Sequence, residues 1–249
     1  MLALVGFAGL YVGIIVYPTP LFDHAASYDG FRVYSDEPIP ADFAGVIEDA
    51  LRRIEAMDPT FPTAGHRVYL CNSQKKYAFF ALLLRKSPES LATVLSVPNE
   101  LFVSLTRVRL FAEMNRGQLR HTRFEGNLSE VIAHEIAHLG SQAALGYSAH
   151  NSQPWWKSEG WAEYQANLAP IQADPTYDLR KRIDLLFDDS LWAGRPPVAR
   201  SQWESQLLVE FLSGVKGYGL TDLIRDDVTL PSARQEMMEW YRNQPEPPS

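Results

Sequence analysis

The sequence predicts an α+β fold: a mixed sheet with helices forming an upper lobe, then an all-helical lower lobe. Three observations carry this. Runs rich in β-branched and aromatic residues fall only in the first half, at Phe31–Ser35, His66–Cys71, Thr93–Val97 and Leu101–Leu105. Between the first two, Phe43, Val46, Ile47, Ala50, Leu51, Ile54 and Met57 recur at the spacing of an amphipathic helix that lies on a sheet. Beyond Glu163 the apolar residues keep helical spacing and no strand pattern returns.

Taken in order, residues Leu2 to Tyr17 are uninterruptedly apolar and are closed by Pro18 and Pro20. The expectation is an N-terminal membrane anchor over 1–22, with the domain outside the cytoplasm. A cleaved signal peptide, giving a secreted protein, is the alternative. No Lys or Arg precedes Arg32, and His24-Ala25-Ala26 is a poor cleavage site. Residues 27–249 then form the functional domain, with 27–142 as the α+β lobe and 155–249 as the helical lobe.

Phe31–Ser35 is a strand ended by prolines, and Asn72 or Ser73 caps a helix containing Tyr77, Phe79, Phe80 and Leu82 to Leu84. Thr93–Val97 and Leu101–Leu105 flank Pro98-Asn99-Glu100 and read as a strand pair. From Arg107 to Glu125 the chain is polar and arginine-rich, either a flap over a cleft or simply solvated. Asn127 caps the next helix with Glu130 at N3, and Gly140 suits its end. His150 falls in a loop and reads as a surface histidine, with a ligand or an oxyanion donor as the alternatives. Further helices are expected at Tyr177–Phe187, from a capping box at Ser201–Glu204 to about Ser213, and from Ser232 onward.

The chain has 249 residues with 23 basic against 30 acidic, a net charge of −7 and no basic run, which argues against nucleic acid as a partner. Cys71 is the only cysteine, so no internal disulfide exists, and its apolar setting makes it a buried residue rather than a nucleophile.

The chemistry concentrates in His134-Glu135-Ile-Ala-His138. On a helix of 3.6 residues per turn the two histidines lie about 40° apart, so both rings can reach one metal ion. Glu135, turned by roughly 100° from His134, is kept off the metal but close enough to deprotonate its water. A zinc hydrolase needs a third protein ligand and an open position.

About twenty residues on stands Trp155-Trp156-Lys157-Ser158-Glu159-Gly160-Trp161-Ala162-Glu163-Tyr164. With this segment the chain resembles the gluzincin metallopeptidases, the thermolysin-like and M1-aminopeptidase-like group, whose third zinc ligand is the glutamate of a W-x-x-E-G-x-A-x-Y segment. The resemblance implies Zn²⁺ held by His134, His138 and Glu159, with Glu135 as general base and Glu163 bracing a histidine ligand. It implies a peptide or protein substrate, laid along the sheet edge that borders the cleft, for which Phe102-Val103-Ser104 is the candidate; an ordinary interior strand is the alternative.

Two features depart from the group. The G-x-M-E-N segment of the aminopeptidases is absent, which speaks against a typical aminopeptidase. The tyrosine that donates to the oxyanion has Trp203 in its place, leaving Trp203, Tyr218 and Tyr164 as candidate donors. That second departure keeps a rival alive: an inactive chain that uses the same fold as a membrane-tethered binding or assembly module.

Overall fold

A computed structural model of the chain describes residues 13–59, 61, 64–95, 99–115, 127–195 and 197–244. Asp29-Gly30 forms a two-residue turn, with Gly30 at a φ of 70° that a side chain would resist, and folds β1 (His24–Tyr28) back on β2 (Phe31–Ser35). Strand β3 (His66–Cys71) lies parallel to β2, β5 (Glu100–Ser104) parallel to β3, and β4 (Ala92–Leu95) antiparallel to β5. The spatial order is β1-β2-β3-β5-β4, so the sheet is mixed and lies in the N-terminal half, as expected.

Alternation along the central strands separates two cores. Val33, Val68, Leu70, Leu101 and Val103 face one side, where they meet α1 (Phe43–Glu55) and α4 (Leu128–Leu145). Tyr34, Tyr69 and Phe102 face the other and stack in sequence, with ring centroids 5.0 and 4.9 Å apart. Phe80 of α2 (Gln74–Leu83) and Phe22 complete that layer. Ser73 caps α2 by accepting from Lys76 N. Cys71 is fully buried here, and burial pushes its thiol up to about 12.

The second half is helical: α5 (Tyr147–Asn151), α6 (Trp155–Ala173), α7 (Leu179–Phe187), α8 (Asp189–Trp192), α9 (Pro197–Glu210), a π-turn at Phe211–Val215, α10 (Leu220–Leu223) and α11 (Leu230–Asn243). One continuous core runs through both halves, from Phe31 to Met237. A buried polar knot ties α1, α4 and α6 together. Arg53 donates to Ala166 O and to Asp49, Ser129 donates to Asp49 and to Asn127, and Asn167 donates to Glu130 at 3.0 Å.

Several expectations need correction. The membrane anchor is not supported, because among the described residues no helix is long and apolar enough to cross a membrane. Residues 1–12 of that run lie outside the described residues, and its end is docked on the sheet instead. Ile14 packs on the aromatic layer, Thr19 Oγ1 lies 3.3 Å from the Tyr69 hydroxyl, and Phe22 is buried against Tyr69 and Phe80.

Phe102-Val103-Ser104 belongs to β5, an interior strand, and the sheet edge is β4. The expected flap begins as a helix, α3 (Leu105–Asn115), and its remainder, 116–126, lies outside the described residues. Gly140 does not end its helix. It sits inside α4, where an added Cβ would come within 2.3 Å of the Phe61 ring, and the stop is Gly146 at a φ of 81°. Ser201 lies within α9 rather than capping it, and Thr229, three residues before Ser232, caps α11.

Candidate metal centre

Helices α4 and α6 pack together, and each contributes one face to a shared cluster. Asn127 starts α4 by accepting from Glu130 N at 2.8 Å, which fixes the helical phase of everything after it. His134 and His138 therefore share one stripe, and their Nε2 atoms stand 3.1 Å apart. Glu159 comes from the first turns of α6. Its Oε2 lies 3.4 Å from His134 Nε2, and its Oε1 lies 3.5 Å from His138 Nε2.

The position of Glu159 is set by its neighbour. Gly160 lies against α9 so closely that an added Cβ would fall 2.3 Å from Ser205 O and 2.8 Å from Val209 Cγ2. The glycine of the Glu159-Gly160 pair is thus a packing requirement that brings α6 and α9 into backbone contact.

The donor set fits a metal ion. A tetrahedral ion with bonds of about 2.1 Å holds its ligand atoms about 3.4 Å apart. The two histidine nitrogens and the two Glu159 oxygens have contacts of that length, and among the described residues His134, His138 and Glu159 are the one cluster of metal-ligand type.

Electrostatics point the same way. Burial alone would lower the His134 pKa, but Glu163 and Glu159 outweigh it and hold the ring well above the ordinary histidine value. Burial raises Glu159, yet His138 and His134 more than offset it and hold the carboxyl well below its usual range. Glu135 is raised, chiefly by burial, with His134 and His138 pulling it back in part. Three carboxylates around two imidazoles make a site that attracts positive charge.

Glu163, one turn beyond Glu159 on α6, brings Oε1 to 3.3 Å from His134 Nδ1, close enough to pair although without hydrogen-bond alignment. Gln202 of α9 donates to that same oxygen. Glu163 Oε2 and His138 Nδ1 are buried without a hydrogen-bond partner among the described residues.

Of the three candidate oxyanion donors, Trp203 and Tyr164 are engaged elsewhere. Trp203 is buried against the Arg182 guanidinium, and its N–H donates to Arg182 O. Tyr164 packs on Trp161, and its pKa is raised by burial and by Glu210 rather than by any group of the cluster. Tyr218 packs against the common core, and its backbone N donates to Leu212 O at 2.9 Å.

One residue missed from sequence and one read by default as a surface histidine do arrive. Gln202, immediately before Trp203, reaches Glu163, and the helical phase of α9 was the signal that could have found it. His150 stands edge-on to His138, with ring centroids 5.7 Å apart and planes at 78°. Burial, followed by the charges of His138 and Lys86, lowers its pKa to about 4.

No family model matches the chain, and no curated protein matches it.

Proposed function

We propose that this chain is a zinc-dependent peptidase in which His134, His138 and Glu159 hold Zn²⁺ and Glu135 is the general base. One observation carries the reading: three ligand residues on two helices converge, the histidine Nε2 atoms 3.1 Å apart and the two Glu159 oxygens 3.4 and 3.5 Å from them, with Glu135 next to the first and Glu163 behind it. Bound zinc supplies the Lewis acidity that makes water a nucleophile near neutral pH.

Glu135 takes the proton of the attacking water and delivers it to the leaving amine. Its raised pKa suits a group that must both accept and release a proton. Glu163 orients the His134 ring so that Nε2 faces the ion.

The substrate backbone pairs with the open edge of β4. Ser104 N donates to Leu91 O at 2.8 Å, and Ala92 is opposite Val103. Leu91, Thr93 and Leu95 therefore turn their backbone groups toward β5, whereas Ala92 and Val94 turn theirs outward.

One observation favours a second reading, a metal-stabilised scaffold without turnover: Trp203 donates its N–H to Arg182 O and Tyr164 packs on Trp161, both away from the cluster. Metal analysis of the purified chain, with turnover of a fluorogenic peptide mixture, separates the two. Near-stoichiometric zinc and hydrolysis that Glu135→Gln abolishes while keeping the metal is the expected result. Zinc without turnover supports the scaffold, and wild-type turnover in Glu135→Gln refutes the assigned base.

A further inference from the structure

We propose that Gln202 is a positioning residue of the metal centre, its side-chain amide fixing the Glu163 carboxylate that in turn holds the His134 ring. The inference rests on the zinc site of the reading above and deepens it, because it brings a third helix, α9, into the support of a metal ligand.

The placement follows from how α6 meets α9. Gly160 of α6 lies against Ser205 of α9, where an added Cβ would fall 2.3 Å from Ser205 O. Glu163 comes three residues after Gly160 and Gln202 three residues before Ser205, so a second contact lies about one turn from the first on each helix, in opposite chain directions. The glycine lets the two backbones approach, and a glutamine side chain spans what remains: its Nε2 donates to Glu163 Oε1. Among the described residues this is the one hydrogen bond that the carboxylate receives, since Glu163 Oε2 has no partner.

The contacts end on a metal ligand. The oxygen that accepts from Gln202 is the one 3.3 Å from His134 Nδ1. The backbone of Glu163 is held separately, by the Asn167 side chain, whose Nδ2 donates to Glu163 O and to Glu130 Oε1, each at 3.0 Å. What remains free is rotation of the side chain, and the Gln202 amide removes it. Glu163 is buried, so loss of that donor leaves an acceptor that bulk water does not reach. An oxygen fixed beside Nδ1 keeps the ring proton on that nitrogen and leaves the Nε2 lone pair toward the ion. An amide suits the position because it donates without adding positive charge beside a cation site.

The test is a double-mutant cycle on the full chain, with Gln202→Met, Gln202→Ala, Glu163→Ala and each Gln202 substitution combined with Glu163→Ala. Three quantities are measured: zinc affinity by chelator competition, urea stability of the metal-free chain, and the visible absorption of the cobalt-substituted chain, which follows ligand geometry. Gln202→Met keeps the length of the side chain and removes the donor. It is expected to weaken zinc by about tenfold, the low end of what an outer partner contributes, and to alter the cobalt spectrum. Gln202→Ala should do the same. In the Glu163→Ala background neither substitution should change zinc affinity further, because the group it acts through is gone.

A tenfold loss that persists in that background overturns the proposal, and so does wild-type zinc affinity in both single variants. Urea unfolding shows which variants are folded under the titration conditions, and failure of both Gln202 variants to fold makes the residue a structural one and also overturns it. None of these readouts uses turnover: zinc binding without hydrolysis refutes the peptidase and leaves this role standing, whereas a wild type that binds no zinc refutes both.

Discussion

Replacing Gly160 by alanine is expected to loosen the fold and empty the metal site together. The new Cβ would fall 2.3 Å from Ser205 O and 2.7 Å from Ser205 C, against the 3.0 Å below which such contacts are essentially never found. These atoms are backbone of α9, so no rotamer change relieves the clash, and the two helices must separate by about 0.7 Å or more. Overpacking of this kind costs about 1–3 kcal/mol. Glu159 is the adjacent residue and Glu163 lies three further along α6, so the shift is transmitted to the third ligand and to the brace on His134. A displacement of that size exceeds the roughly 0.2 Å tolerance of a metal–ligand bond, and a fall in zinc affinity of about 10- to 100-fold follows. Urea unfolding of the metal-free protein reads the first effect and chelator competition the second. Wild-type stability with wild-type zinc affinity would show that α6 and α9 do not meet at this glycine.

Three further outcomes are expected. Glu159→Ala should release zinc to a mild chelator at concentrations where Glu163→Ala, having lost only the contact to His134 Nδ1, retains it; the reverse order in competition titration would exchange their roles. Phe22→Ala removes a ring 5.0 Å from Tyr69 and 5.7 Å from Phe80 at the protein's outer layer, and should cost about 3 kcal/mol in urea unfolding; a loss under about 1 kcal/mol would mean that the N-terminal segment is not docked there. Glu100 is fully buried, and burial raises its pKa above 4.5 despite hydrogen bonds from Tyr69 and Arg67. A raised carboxyl favours folding most below its ordinary pKa and loses that contribution as pH rises through the folded value, so Glu100→Gln should gain on the wild type as pH rises from the ordinary carboxyl value through the folded one. Parallel stability curves for the two proteins over that range would refute it.

What was legible in the sequence was whatever local pattern dictates. β2 and β3 fall where alternation and β-branching put them, and the ligand helix begins at Asn127 because an Asn three residues before Glu130 caps whatever else happens. The misreadings came from residues whose role is set by partners distant in sequence. Gly140 looks like a helix stop, yet its lack of a side chain serves Phe61, nearly eighty residues away. β1 is short, polar and half-exposed, so its apolar pattern is weak, and the strand was missed; the Asp29-Gly30 turn was the signal that could have found it. The strand pair around Asn99 was visible, but which member lies at the edge depends on β3 choosing β5 as its neighbour, a long-range pairing that no window of sequence contains. His150 was dismissed for sitting among small polar residues, and only the fold brings it against His138.

The same contrast explains how a site of like charges can sit in a folded helix pair. Glu135, Glu159 and Glu163 are crowded onto two helices, and crowded carboxylates repel unless protonated or neutralised. The fold does not relieve this with arginine: Arg53, the buried cation of the α1–α4–α6 knot, is given to Asp49, Ala166 O and Asn167 instead. In the metal-free chain the neutralising charge falls to His134, which is held well above the ordinary histidine value by Glu163 and Glu159. A proton on that ring occupies the lone pair that a metal needs, so metal and proton compete for one position. Zinc affinity should therefore fall as pH drops even where the fold is unchanged, because each binding event must first displace a proton that two carboxylates retain. A zinc affinity independent of pH across the neutral range would mean that His134 is not a ligand.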